Sequence, residues 1–291
     1  MKPDSRLLEK LVVARYRLHQ AKASVGVGDR QSSAKGAGME FASHRPYREG
    51  DDVRNLDPRL MARLGEPFVR EYFVDRQLPV YVILDGSASM QQGKPGKFEA
   101  AAMLAQVLGF VALASGDQVR IGVTGNAVVD WSPRLQGQSR ADMLFDWVGG
   151  RRIGGQTSFS TALRQARGVL TQAALVILIS DFMDEGVERE LKLLTEGRHD
   201  MIAIHMASPQ EIDPSALGGG PVTLRDAESG EAIDMSLNPT IVARYREVFS
   251  RWQSTLRDTM TRAQGRYFFL SSSADLEQFI SRDLRGRNVF A

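Results

Sequence analysis

Residues 78–90 read LPVYVILDGSASM and set one carboxylate, Asp85, and two hydroxyls, Ser87 and Ser89, at alternate positions. All three offer hard oxygen donors, the kind that Mg²⁺ or Mn²⁺ prefers and that Ca²⁺ also takes. Two more oxygen-bearing residues stand far downstream. Thr157 lies in GGQTSFSTAL, between a glycine-rich loop and a predicted helix, and Asp181 directly follows the apolar run ALVILIS. Brought together from three loops, Asp85, Ser87, Ser89, Thr157 and Asp181 would hold a divalent cation. Two carboxylates bound directly would nearly neutralise it. If Asp181 acts through water instead, the ion keeps net positive charge and an open position, which Mg²⁺ tolerates because it usually retains several waters. A carboxylate from a partner protein would then complete the shell.

The elements that must position these residues are readable from pattern. Val80–Leu84 is short, apolar and rich in β-branched residues, as expected of a strand buried on both faces of a parallel sheet. It stops abruptly at Asp85, and ligands in open α/β sheets bind beyond the carboxyl ends of strands. Lys97–Ser115 reads as a helix apolar nearly all round, hence buried. Asp117–Thr124 and 127–131 read as adjacent strands joined through Gly125 and Asn126. Helices are predicted over 139–148 and 159–170, then a central strand over 174–180, a helix over 185–197 and a buried strand over 201–206. Residues 221–236 carry a hairpin signal around Ser229-Gly230. A long amphipathic helix over 239–263, a strand over 266–270 and a helix over 273–282, capped by Ser273, complete the chain. Strands alternating with helices give an α/β fold with a doubly wound, mostly parallel sheet flanked by helices. The division expected is an N-terminal α+β extension over 1–77 and an α/β domain over 78–291, with a hairpin insertion near 221–236.

Within the extension, residues 5–22 predict an amphipathic helix and VGVGDRQSSAKGAG a loop. Residues 40–70 form a dense polar block in which Arg45, Asp51, Asp52, Arg54, Asp57 and Arg63 alternate in sign. Charge-assisted hydrogen bonds shaping an irregular segment are the expected role; a binding surface or second metal site on Asp51 and Asp52 is the sharper alternative.

Composition excludes several classes. Hydrophobic content of 43% and charged content of 25% are those of an ordinary globular chain. The net charge of +2 lacks the concentrated basic stripe of a nucleic-acid binder. There is no cysteine, which removes disulfides, zinc thiolates and thiol catalysis. MKPDSRLLEK has no apolar core of signal-peptide length, and the run 100–115 falls short of the roughly 20 residues that span a bilayer. The expectation is a cytoplasmic protein without a membrane span.

The spacing D-x-S-x-S, followed by a loop Thr and a strand-end Asp, resembles the metal-ion-dependent adhesion site of von Willebrand factor type A domains. Asp85, Ser87, Ser89, Thr157 and Asp181 match its five positions in order, and Gly154-Gly155 and Ala162-Leu163 fit the middle loop. Upstream, E-F-x-x-x-R-x-Y-x-x-G-D-D-x-R-x-x-D, carried by Glu40, Phe41, Arg45, Tyr47, Gly50, Asp51, Asp52, Arg54 and Asp57, resembles the bacterial family known as domain of unknown function 58. That family usually places Trp after the last Asp; here it is Pro58, so local packing differs. The resemblance implies a non-enzymatic, cation-dependent protein-binding module in the soluble form. It would act as adaptor or substrate-recognition partner of a MoxR-type AAA+ ATPase in a chaperone-like or activating system, and a client protein would supply the carboxylate.

Other readings are weaker. A serine-hydrolase elbow needs Gly two residues after the nucleophile, but Ser89 follows Ser87 at that spacing. An aspartyl-phosphate phosphotransferase would carry an acid at position 87, and Ser87 cannot serve as acid or base. No Walker A motif occurs. None of His19, His44, His199 and His205 takes a convincing strand-end position; His205, inside MIAIHMA, reads as a core or strand-edge residue. A metal-dependent hydrolase using the same site, or a scaffold with a vestigial site, stays as the alternative.

Overall fold

The computed structural model describes residues 2–17, 40–73, 78–125, 128–151, 153, 158–197, 199–227 and 230–290. By contacts the chain divides into a unit over 26–77 and a body formed by 1–25 together with 78–291.

The first element of the body, α1 (Ser5–Leu11), starts at Asp4, whose carboxylate accepts from Arg6 N. It is shorter than the helix expected over 5–22: among the described residues the chain leaves the helix after Leu11. Two anchors explain this. Ala14 is buried, and Tyr16 reaches back to donate its hydroxyl to Leu108 O at 2.6 Å while its backbone bridges Phe290. Residues 18–22 of that prediction lie outside the described residues, as does most of the glycine- and serine-rich loop.

In the unit over 26–77, β1 (Glu40–Pro46), α2 (Pro58–Leu64) and β2 (Phe68–Phe73) follow in order, with β1 and β2 paired antiparallel. Asp57 caps α2 by accepting from Arg59 N and Leu60 N, and Pro58 occupies the first helical turn where no amide partner is lost. Gly65 closes the helix with φ +78°. The charge pairs expected here are present. Arg45 grips Asp51 through two bonds of 2.6 and 2.7 Å, Arg54 pairs with Asp52, and Asp57 binds Arg70 Nε and His44 Nε2. Asp51 and Asp52 are thus each engaged by an arginine rather than turned toward a shared ion.

The body is built on a seven-stranded sheet. In chain order it contains β3 (Pro79–Leu84), α3 (Lys97–Ala114), β4 (Gln118–Gly125), β5 (Val128–Trp131), β6 (Leu135–Gln136), α4 (Ala141–Gly149), α5 (Phe159–Arg167), β7 (Leu175–Ser180), α6 (Val187–Thr195) and β8 (Asp200–Ala207). Then come α7 (Pro209–Ile212), the hairpin β9 (Gly220–Arg225) and β10 (Ala232–Leu237), α8 (Pro239–Arg262), β11 (Arg266–Ser271) and α9 (Leu276–Gln278). The strand order is β11-β8-β7-β3-β4-β5, with β6 also beside β4. The pairs β11·β8, β8·β7, β7·β3 and β3·β4 are parallel; only the edge strands β5 and β6 run against β4. This is the doubly wound, mostly parallel sheet that the alternation of patterns predicts.

β3 and β7 lie at the centre and are covered on both faces, which is why they read as unbroken apolar runs. Alternate residues feed two cores: Val82, Leu84 and Ile177 face α3 and α4, whereas Tyr81, Ile83 and Val176 face α5, α6 and α8. Each fully buried aliphatic side chain contributes about 1.5–3 kcal/mol. α3 is long and apolar enough to cross a membrane by composition, yet 78% of it is buried in the body, as suits a core helix. The hairpin β9–β10 forms its own two-stranded sheet with Leu224 opposite Ile233. α9 is capped by Asp275, which accepts from Glu277 N and Gln278 N, not by Ser273; the carboxylate reaches two amides, while the Ser273 hydroxyl is taken up by Ser271.

Candidate functional site

Parallel pairing of β3 with β7, in register Leu84↔Ile179, brings the ends of the two strands together. Asp85 N donates to Ile179 O at 2.9 Å, so the first aspartate continues the ladder for one more bond before the chain turns away. Asp181 leaves β7 one residue beyond Ser180. Two carboxylates written almost a hundred residues apart thus share one crevice at the carboxyl edge of the sheet.

Asp85 is 1% exposed and fully engaged. Its Oδ1 accepts from Ser87 N at 2.9 Å and from the Thr124 hydroxyl at 3.3 Å, and its Oδ2 accepts from the Ser180 hydroxyl at 2.5 Å. Gly86 is required here by space: a Cβ would stand 2.2 Å from the Thr124 carbonyl oxygen at the end of β4. Its amide donates to Thr124 Oγ1 at 2.9 Å. Residues Ala88–Gln91 then form a 3₁₀ turn pinned by the buried Met90, and this presents the Ser87 and Ser89 hydroxyls side by side, 2.9 Å apart.

On the β7 side, Asp181 is 2% exposed, and its Oδ1 accepts from Met183 N. The turn depends on Phe182 at φ +54°, a left-handed conformation that costs a non-glycine residue on the order of 1 kcal/mol. It is held by the Ser180 hydroxyl, which accepts from Phe182 N at 2.8 Å, and by edge-on contacts of the Phe182 ring with Phe159 and His205. Thr157, with the rest of 154–157, lies outside the described residues. The residue after it, Ser158, caps α5 and donates to Asp184 Oδ2 at 3.0 Å, which ties the head of α5 to the loop that follows Asp181.

One partner was invisible to pattern. Lys97, the first residue of α3, is wholly buried; its ammonium lies 2.8 Å from Asp181 Oδ2 and 2.5 Å from Glu211 Oε1. Glu211 is fixed in turn by a capping box, accepting from Ser208 N while Glu211 N donates to the Ser208 hydroxyl. Burial by itself would lower the Lys97 pKa, but the charges of Asp181 and Glu211 outweigh it and hold the ammonium above its ordinary value. Among the described residues Asp85 has no such cation. Burial, with the Asp181 charge beside it, pushes its carboxyl up to about 7.

These charges bear on the cation implied by D-x-S-x-S. No group of three His, Cys, Asp or Glu placed to hold a metal occurs among the described residues, so the donor set rests on hydroxyls as well as carboxylates. It consists of oxygen alone, as a small hard ion requires. The crevice sets three carboxyl groups, Asp85, Asp181 and Glu211, against the one ammonium of Lys97, an acidic surplus that suits a cation. The residues therefore fit such an ion.

His205 is a core strand residue, as its apolar run suggests. Its Nδ1 shares a 2.8 Å hydrogen bond with the Tyr267 hydroxyl, aromatic rings surround it, and burial lowers it to about 4.

The family model described as protein of unknown function DUF58 matches residues 43–255. The chain belongs to the DUF58 family. An uncharacterized protein of Mycobacterium tuberculosis is 26% identical over 265 residues, covering 89% of this chain and 81% of the relative. Among solved structures, the conserved hypothetical protein BatB from Bacteroides thetaiotaomicron is similar at 20% identity and TM-score 0.45, covering 72% of this chain and 98% of that one. The von Willebrand factor type A domain of SpRpn10 is similar at 10% identity and TM-score 0.43, covering 72% of this chain and 95% of that one. The body of this DUF58 protein is the doubly wound, mostly parallel α/β sheet described above.

Proposed function

We propose that this chain is a protein-binding module whose grip on its partner depends on a divalent cation, Mg²⁺ by preference, held by Asp85, Ser87, Ser89, Thr157 and Asp181. The observation that carries the reading is the meeting of Asp85 and Asp181 at the adjacent ends of β3 and β7, beside the paired hydroxyls of Ser87 and Ser89. When bound, the cation supplies an open coordination position for a client's carboxylate. The chain's own groups do the rest. Ser180, Thr124 and the Ser87 amide orient the Asp85 carboxylate, and Lys97 holds Asp181 in place. We read the module as a binder rather than an enzyme: His205 is enclosed by aromatic rings and Lys97 is shared by two carboxylates, so neither stands free as a base. Its resemblance in the Arg45–Asp57 block supports a MoxR-type AAA+ ATPase as the cytoplasmic partner, with this chain as adaptor or substrate-recognition subunit.

The test is retention of the cognate ATPase on the immobilised full chain with Mg²⁺, with chelator, and with Asp85→Ala. Retention in Mg²⁺ that is lost in the other two arms is expected; equal retention in all three overturns the reading. Phosphoesterase or peptidase turnover abolished by Asp85→Ala would favour a hydrolase instead.

A further inference from the structure

Beside the Asp85 site lies a cleft of about 760 Å³ to which the proposed function assigns no role. Its walls come from β9, β10, α7, the start of α8 and residues 91–94, the stretch that continues directly from D-x-S-x-S. The volume falls in the range of about 300–1,000 Å³ typical of ligand sites and far exceeds the voids of ordinary packing. Leu224, Met235, Leu237, Ile241 and Val242 line it with aliphatic surface. Leu217 and Leu224 remain 51% and 45% exposed along its mouth, an apolar wall open to water.

Three features select the occupant. First, cleft and cation site are linked through one buried lysine: Glu211 lines the cleft and is bonded to Lys97, which is bonded to Asp181. Glu211 of the cleft and Asp181 of the cation site thus stand on either side of one ammonium. Second, the charge left over in the lining is positive. Glu211 is taken up by Lys97, whereas Lys94 and Arg225 have no ion-pair partner among the described residues, so the lining complements an acidic ligand. Third, Gln210 lines the same cleft, and its side-chain oxygen is buried without a partner among the described residues. Once that amide turns toward the cleft it can exchange hydrogen bonds with a peptide backbone, which a polypeptide offers and a hydrocarbon chain does not.

We propose that the cleft binds an aliphatic segment of the same partner polypeptide whose acidic side chain reaches the Asp85 site; this rests on the cation-dependent binding proposed above. The hairpin insertion is then the specificity element. The cation fixes one carboxylate, and the cleft reads the aliphatic residues next to it.

The probe is a random peptide display library selected on the full chain in Mg²⁺, with enriched peptides resynthesised and their affinities measured by fluorescence anisotropy. Enrichment of two or more aliphatic residues near an Asp or Glu is expected. Affinity should fall about 10-fold or more in Leu224→Glu and in Leu217→Glu, each the loss of one apolar anchor. Both positions are half exposed, so the variants should fold, and unchanged melting temperature and Mn²⁺ binding check this. Peptides insensitive to both variants but lost with chelator would overturn the cleft and leave the cation site standing. Peptides lost in both variants but indifferent to chelator and to Asp85→Ala would keep the cleft and overturn the cation reading. A library that yields no enriched peptide, or binding by decanoate alone, overturns the proposal.

Discussion

Replacing Lys97 with methionine deletes the ammonium shared by Asp181 and Glu211 while keeping most of the stem that packs at the head of α3. The Lys97 side chain is fully buried and that of Asp181 is 3% exposed, so the carboxylate left behind has little water to replace its partner. Breaking a buried pair in this way costs about 3–5 kcal/mol, mostly for the uncompensated charge. The Glu211 side chain is 21% exposed and regains some hydration, which places the expectation near the lower end, about 3 kcal/mol. At about 2–4 °C per kcal/mol for a body of this size, the melting temperature should drop by about 6–12 °C. The substitution also deepens the negative charge of the crevice, so a cation bound there should stabilise the variant more than the parent. Saturation to 100 times Kd adds about 2.7 kcal/mol to any protein that binds only when folded. The assay is urea unfolding followed by circular dichroism, parent and variant, in chelator and in Mg²⁺. A loss below about 1 kcal/mol in chelator would refute the ion-pair argument, and a loss of the same size in both conditions would refute its link to the cation.

Further perturbations bear on the same structure. In the metal-free protein Asp85 holds its proton to about pH 7 when folded, well above its unfolded value, so the folded state binds the extra proton across the acidic range. Stability in chelator should therefore fall as pH rises from about 4 to 7, and Asp85→Asn should flatten that fall; a parental urea midpoint that rises over this range would contradict the burial argument. Gly86→Ala drives a Cβ to 2.2 Å from the Thr124 carbonyl and should cost more than about 1 kcal/mol and weaken Mn²⁺ binding, read by urea unfolding and by Mn²⁺ titration. Asp57→Ala removes at once the cap of α2 and the partner of Arg70 and His44. Trypsin should then cut faster within 40–73 while fragments from 78–290 appear at the parental rate.

What could be read in the sequence follows from how local each determinant is. β3, β7 and β8 declare themselves because a strand covered on both faces must be apolar at every position, and that needs no knowledge of its neighbours. Asp85 and Asp181 stand out because each ends such a run with a charge. Ser180 and Thr124, which orient Asp85, do not: their role exists only once β3 lies between β4 and β7, and the sequence does not print strand order. Lys97 is harder still. A lysine opening the helix K-F-E-A-A-A looks like a solvated first turn, and its second partner, Glu211, is 114 residues away. The cleft beside it is formed by tertiary placement of the hairpin, for which the Ser229-Gly230 turn signal gives existence but not position. Even the early end of α1 was settled by Tyr16 finding Leu108 and Phe290, contacts that outweigh the helical pattern of residues 5–22.

If the proposal holds, Asp85, Ser87 and Ser89 bind a divalent cation together with Asp181. Titration of the full chain with Mn²⁺, with free ion read by its electron paramagnetic resonance signal, tests it directly. One equivalent bound by the parent, displaced by Mg²⁺ and lost in Asp85→Ala, is the result predicted. An absence of binding by the parent, or a stoichiometry unchanged in Asp85→Ala, would contradict it.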